Sequence, residues 1–80
     1  VNNFEKAKKA YYKALNGINI KENEQIVLEF KSTYWSYSFA KDIKGADIKL
    51  HEKVILELKD PEYSYYFAKD IPGANIEEHF

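Results

Sequence analysis

The amino-acid sequence predicts an all-α protein, a short right-handed stack of three helical hairpins whose last helix is truncated. Three observations lead there. The stretch Tyr37-Ser38-Phe39-Ala40-Lys41-Asp42-Ile43-Lys44-Gly45-Ala46-Asp47-Ile48 returns 28 positions later as Tyr65-Tyr66-Phe67-Ala68-Lys69-Asp70-Ile71-Pro72-Gly73-Ala74-Asn75-Ile76, and Leu28, Glu29, Lys31 and Ser36 return as Leu56, Glu57, Lys59 and Ser64. A weaker echo precedes it at Tyr11, Lys13, Leu15, Gly17, Asn19, Ile20 and Lys21. A fixed period of this size marks a stacked repeat protein. Within each period the apolar residues recur at helical spacing, and one glycine followed by a capping residue separates two helices.

The elements follow in order. Asn3 to Asn16 reads as a first helix, with Asn3 as its cap and Phe4, Ala7, Ala10, Tyr11, Ala14 and Leu15 at helical spacing. Gly17 supplies the left-handed residue that ends many helices. Asn19, with Glu22 three residues on, suggests a capping box opening a second helix from Ile20 to about Phe30, its buried side holding Ile26, Val27 and Phe30. Ser32 or Thr33 caps a third helix that ends near Ile43 and turns Trp35, Phe39 and Ile43 inward. Asp47 caps a fourth, Ile48 to Leu58, with Val54, Ile55 and Leu58 buried. Asp60-Pro61 is a cap followed by proline at the first helical position, and the fifth helix carries Tyr63, Tyr66, Phe67 and Ile71. After Pro72-Gly73, Asn75 opens a sixth helix that reaches Phe80 after about one turn.

The chain thus reads as one domain over 1–80, a HEAT- or TPR-like array with units at about 3–31, 32–59 and 60–80. About three units are the minimum for such an array. Ile71, Ile76 and Phe80 are expected to be thinly covered, so that Phe80 folds back as a lid or a second copy docks there, giving a homodimer through the C-terminal end.

Composition narrows the function. The chain has 80 residues, no cysteine, an aromatic content of 16% and a net charge of −1. Neither disulfides nor thiolate metal sites can supplement the core, and large rings are the compensation. All 12 basic residues are lysine; the missing arginine counts against sequence-specific DNA reading, where its planar fork is the preferred tool. No apolar run approaches the roughly 18 residues of a membrane span, and no signal-peptide pattern is present. A cytoplasmic protein with no membrane partner is expected.

Few residues suggest chemistry. The glycines precede capped helix starts rather than a phosphate-cradling loop. His51 and His79 occupy equivalent positions but fall short of the converging ligands a metal needs; a solvated helix face or a cap contact is the expectation. Asp42 and Asp70 sit in the last turn of a helix, where the macrodipole disfavours negative charge. A specific partner is expected for each, either the amide end of the following helix or a lysine of a neighbouring unit, with a binding or catalytic carboxylate as the other reading. No nucleophile–base constellation is visible, so the expectation is a protein that is no enzyme and carries no catalytic residue, metal or cofactor.

The most informative pattern is a ladder of tyrosine and lysine. Lys13, Lys41 and Lys69 recur at the period; Lys9, Tyr37 and Tyr65 lie one turn before them, and Lys6, Tyr34 and Glu62 one step earlier. Such spacing lines one helix surface. Opposite it the chain is acidic, at Glu22, Glu24, Glu29, Glu52, Glu57, Glu77 and Glu78. The stripe is either lysine stems lying over aromatic rings or a partner-binding face, since tyrosine and tryptophan are enriched at interface hot spots. On the second reading the contact residues are Tyr34, Trp35, Tyr37, Lys41, Tyr65 and Lys69; if Trp35 fills the core, Tyr34 is the stronger contact.

The run Phe-Ala-Lys-Asp-Ile-x-Gly-Ala-Asp/Asn-Ile resembles tandem helical repeats of uncharacterised proteins from low-GC bacteria and their phages. The resemblance covers about 26–80; the first unit departs from it at Tyr12, Ala14 and Ile18. It implies a helical repeat in a bacterial or phage setting, and with it a small phage-encoded inhibitor of a bacterial defence protein, of the anti-CRISPR type, acting in the host cytoplasm. The alternative is single-stranded nucleic-acid binding, with bases stacked on Tyr34, Tyr37 and Tyr65 and phosphates neutralised by Lys41 and Lys69.

Overall fold

The computed structural model describes residues 3–79, apart from the side chains of Asn3, Ile76 and Glu78. They form helices α1 (Asn3–Leu15), α2 (Ile20–Phe30), α3 (Thr33–Asp42), α4 (Ile48–Glu57), α5 (Pro61–Asp70) and the single turn α6 (Ile76–His79), with no strand among the described residues. No helix in this range is long and apolar enough to cross a membrane.

Three of the helix starts follow local chemistry. Ser32, Asp47 and Asp60 each adopt an extended backbone and accept a hydrogen bond from the amide of Trp35, Leu50 and Tyr63 respectively, which satisfies one otherwise unpaired donor of the first turn. Pro61 follows Asp60 where its missing N–H costs nothing. Asn19 behaves differently from expectation. Its backbone is left-handed (φ 44°) and its side chain makes no cap hydrogen bond. Asn23, inside the helix, instead ties the connection by donating its side-chain amide to the carbonyls of Ile18 and Asn19 at 2.9 and 3.1 Å, bonds that satisfy no first-turn N–H. The expected cap at Asn3 and the Phe80 lid concern side chains outside the described residues.

The cause is the first connection. Four residues, 16–19, join α1 to α2, whereas five, 43–47 and 71–75, join the later pairs. The shorter link shifts α1 by one position. Its buried residues Ala7, Ala10, Tyr11 and Ala14 match the buried Ser36, Phe39, Ala40 and Ile43 of α3 at an offset of 29 rather than 28. Leu15, the sequence-level counterpart of Ile43, is consequently 44% exposed while Ile43 is buried. Lys13 likewise stands one position out of register with Lys41, which breaks the lysine ladder at its first rung.

Helix α1 packs on α2, α3 on α4 and α5 on α6, while α3 also meets α1 and α5, and α4 meets α2. Two apolar clusters result. In the first, Val27, Trp35, Phe39 and Ile43 close on the small face of α1; in the second, Ala40 and Ile55 meet Phe67 and Ile71. Burying an aromatic side chain of this kind contributes about 1.5–3 kcal/mol. Two expectations are corrected here. Ile71 is covered, at 4% exposure, because Ala40 and Ile55 of the preceding helices reach it. Leu58 lies just past the end of α4 and is 44% exposed rather than buried.

Candidate functional site

The six residues predicted to meet a partner divide into two groups. Tyr34 and Tyr65 are each about half exposed, at 51% and 49%. The Tyr34 ring stands edge-on to Trp35 at 4.8 Å, and the Tyr65 ring lies 5.8 Å from Tyr66. Lys41 and Lys69 are exposed, and each ammonium sits above a tyrosine ring: Lys41 over Tyr37 at 5.7 Å, Lys69 over Tyr65 at 5.8 Å. These distances are within cation–π range.

Trp35 belongs to the core, and Tyr37 lies half-buried between two helices. Trp35 is 5% exposed and wedged between Phe4 and Tyr11, at ring distances of 5.6 and 5.5 Å, so it is a core residue and not a surface contact. Tyr37 is half-buried against Tyr63 and Tyr66, and its hydroxyl donates to Asp70 Oδ2 at 2.6 Å. Tyr11 does the same to Asp42 Oδ2 at 2.5 Å. Both aspartates therefore pair with a tyrosine hydroxyl of the preceding helical unit, rather than with the amide end of the following helix or a lysine of a neighbouring unit; Asp70 also meets Lys69 of its own helix at 3.9 Å. Burial, followed by the hydrogen bond to the carboxylate, raises both phenols, Tyr37 to about 12 and Tyr11 further. Burial also raises Tyr63.

Sequence reasoning missed a second recurring arrangement. Glu24, 3% exposed, accepts from the backbone N–H of Asp47 at 2.6 Å and meets His51 Nε2 at 3.0 Å. One period on, Glu52, 6% exposed, accepts from the N–H of Asn75 at 2.5 Å and meets His79 Nε2 at 2.9 Å. Each imidazole lies against the phenylalanine of its own unit: His51 on Phe39 at 5.0 Å and 27°, His79 on Phe67 at 5.5 Å and 31°. Glu24 and Glu52 are thus not part of an acidic outer face, and His51 and the His79 side chain are enclosed rather than solvated. The signal was available, since both the glutamates and the histidines repeat at 28.

The chemistry of the bridge is structural. A carboxylate facing Nε2 assigns the proton to that nitrogen and leaves Nδ1, which has no hydrogen-bond partner among the described residues, as the bare one. Burial lowers the His51 pKa, against the opposing pull of Glu24, and keeps the ring neutral. Asn23 holds the position one period before His51 and donates to the carbonyls of its own connection instead. No group of three or more His, Asp or Glu side chains gathers as a metal site among the described residues.

No family model, curated protein or solved structure matches this sequence, and the kinship visible in it is that between its own units.

Proposed function

We propose that the chain is a non-enzymatic protein-binding module, a right-handed HEAT- or TPR-like stack of three hairpins that covers part of a partner protein's surface through Tyr34 and Tyr65. The pairwise packing of α1 with α2, α3 with α4 and α5 with α6 supports the stacked reading, as does the recurrence of the Glu–His bridge between successive units. A thin dimension of 14 Å is also that of two packed helix layers.

The observation that carries the function is the solvent exposure of Tyr34 and Tyr65 on two helices that touch each other. Large aromatic area held in water beside exposed lysines is the raw material of an interface hot spot. The repeat's resemblance to phage and bacterial sequences favours an inhibitor of a bacterial defence protein, acting in the host cytoplasm by covering a site. The test is affinity capture from a bacterial host lysate with wild type and with Tyr34→Ala/Tyr65→Ala, melting temperatures being compared in parallel. Capture of one protein by wild type, lost in a variant that melts normally, supports the reading; equal capture by both removes the tyrosine face.

Single-stranded nucleic acid is the second reading, favoured by the lysine–tyrosine pairs. Against it, the Lys41 and Lys69 ammonium groups occupy ring faces on which bases would stack. Binding of an oligonucleotide that falls steeply with salt would promote this reading above the first.

A further inference from the structure

We propose that the outer face of α1 is a second docking site and takes an acidic segment of a partner protein. One apolar side chain of that segment sits on Tyr12 and Ile18, and its carboxylates meet Lys8, Lys9 and Lys13. The inference rests on the reading of the chain as a protein-binding module, but not on Tyr34 and Tyr65.

A shallow concavity of about 400 Å³ opens on this face, lined by Lys8, Lys9, Tyr12, Lys13, Asn16 and Ile18 together with Glu5. Tyr12 and Ile18 are half exposed, at 49% and 51%, and the three lysines are exposed. The Tyr12 ring stands against Tyr11 at 5.1 Å, and Asn16 donates to the Tyr12 carbonyl at 2.9 Å, so the apolar floor is braced by its neighbours. The exposure of this face follows from its own residues. Each later unit grips a tyrosine of its predecessor with a ring and an aspartate: Trp35 and Asp42 close on Tyr11, Tyr63 and Asp70 on Tyr37. In the shifted register of α1 both gripping places are lysine, Lys6 and Lys13. Helix α1 therefore lacks the means to stack on a further unit of this kind.

Charge selects the occupant. Helix α1 carries Lys6, Lys8, Lys9 and Lys13 against Glu5 alone, the largest excess of one sign on any helix described. None of the four lysines has an ion-pair partner among the described residues. Lys6 and Lys9, three apart, and Lys9 and Lys13, four apart, repel along one side of the helix. A terminal unit of a stack needs a polar outer face, but not one of a single sign; α4 balances Lys49 and Lys53 with Glu52 and Glu57. The imbalance runs through the molecule. Helices α1, α3 and α5 hold six lysines against four acids, of which Asp42 and Asp70 are tied to tyrosines, whereas α2, α4 and α6 hold three lysines against seven glutamates. Such a distribution orients an acidic partner toward the first layer. A nucleic-acid strand would need successive rings on which to stack. This face offers Tyr12, and lysines stand over Tyr37 and Tyr65 on the next two helices.

The test is a two-dimensional amide NMR titration of the full chain with a blocked pentapeptide, one phenylalanine flanked on each side by two glutamates. Saturable shifts are expected at Lys8, Lys9, Tyr12, Lys13 and Ile18, weakened about tenfold by Tyr12→Ala or by alanine in place of the peptide's phenylalanine. Lys9→Glu/Lys13→Glu should lose the acidic peptide and bind the same peptide with lysines in place of its glutamates. Thermal melts check the fold of the variants, and the peptide changes on wild type decide alone where a variant does not fold. Tyr34→Ala/Tyr65→Ala should leave the titration unchanged, so this site can fail while capture through the tyrosines succeeds. Absence of saturable shifts at these amides up to about 10 mM peptide, a concentration that detects even weak ion pairing, overturns the proposal. So do equal shifts with glutamines in place of the glutamates. An oligothymidylate that saturates this face more tightly than the peptide also overturns it, since the partner would then be a nucleic acid.

Discussion

Glu24 on α2 and His51 on α4 meet at 3.0 Å inside the molecule, where the glutamate is 3% exposed and the histidine fully enclosed. The same carboxylate oxygen accepts from the N–H of Asp47, so one acidic group ties a neighbouring helix by its backbone and its side chain together. Removing the acceptor leaves two buried donors unpaired, which costs about 1–3 kcal/mol for each group. Glu24→Ala should therefore destabilise the chain by about 2–4 kcal/mol, and Glu24→Gln by less, because both bonds go to one oxygen and an amide carbonyl in that place still accepts them, without the charge. Urea denaturation of the two variants measures the difference.

The histidine makes the bridge sensitive to acid. His51 has a pKa below the ordinary 6.5, chiefly through burial, so the unfolded chain binds the proton first as pH falls. The stability contributed by the neutral ring is present above the unfolded value and is lost as pH drops below it, until the folded ring is protonated as well. Wild type should melt at a lower temperature at pH 5.5 than at pH 7.5. His51→Asn, which installs the residue found one period earlier, should melt lower at pH 7.5 but lose less on acidification. Equal pH slopes in the two proteins would remove His51 from the acid response.

At the alkaline end the tyrosine–aspartate pairs have the opposite sign. The folded pKa of Tyr37 is raised from 10.0 to about 12, and that of Tyr11 is raised further. Their contribution is complete below the unfolded value and disappears as pH rises from about 10 through the folded values. Absorbance titration at 295 nm should show three phenols, Tyr11, Tyr37 and Tyr63, ionising late, one fewer in Tyr11→Phe. Tyr11→Phe should also cost more than Tyr37→Phe, roughly 1–2 kcal/mol against under about 1, since the Asp42 pair is part-buried and the Asp70 pair exposed.

Neighbours in sequence should separate core from surface. Trp35→Ala opens a cavity between Phe4 and Tyr11 and should cost about 3–5 kcal/mol. Tyr34→Ala, one residue away and 51% exposed, should change stability by no more than about 1 kcal/mol. Denaturation midpoints check both. A large loss at Tyr34 would mean that its ring serves the fold rather than a partner.

Gly45 is left-handed (φ 91°), and an added Cβ would meet nothing within 4 Å. Gly45→Ala should therefore cost about 1 kcal/mol or more through backbone strain alone, without a clash. A thermal melt unchanged from wild type would contradict that origin.

Much of the helix punctuation was legible because it depends on contacts a few residues apart. Ser32, Asp47 and Asp60 cap where their spacing indicated, and Trp35, Phe39 and Ile43 turn inward as their period requires. Asn19 misled because its capping competence is local, whereas the length of the connection that holds it is set by how α1 meets α2. In the candidate site, Tyr34 and Tyr65 were readable as exposed rings, but Trp35 and Tyr37 were not separable from them by pattern. A tyrosine at helical spacing looks the same whether its hydroxyl faces water or an aspartate 33 residues away.

The sequence by itself determined the all-helical class, the 28-residue period and three of the helix starts, since these follow from side-chain type, spacing and backbone preference along one short segment. Tertiary structure alone decided the shifted register of α1, the burial of Glu24, Glu52 and His51, and the pairing of each aspartate with a tyrosine of the preceding unit. A glutamate beside lysines on a helix is ordinarily solvated. It becomes an interior group only where folding brings a free backbone amide and an imidazole to its oxygen, and those donors lie 23 and 27 residues along the chain.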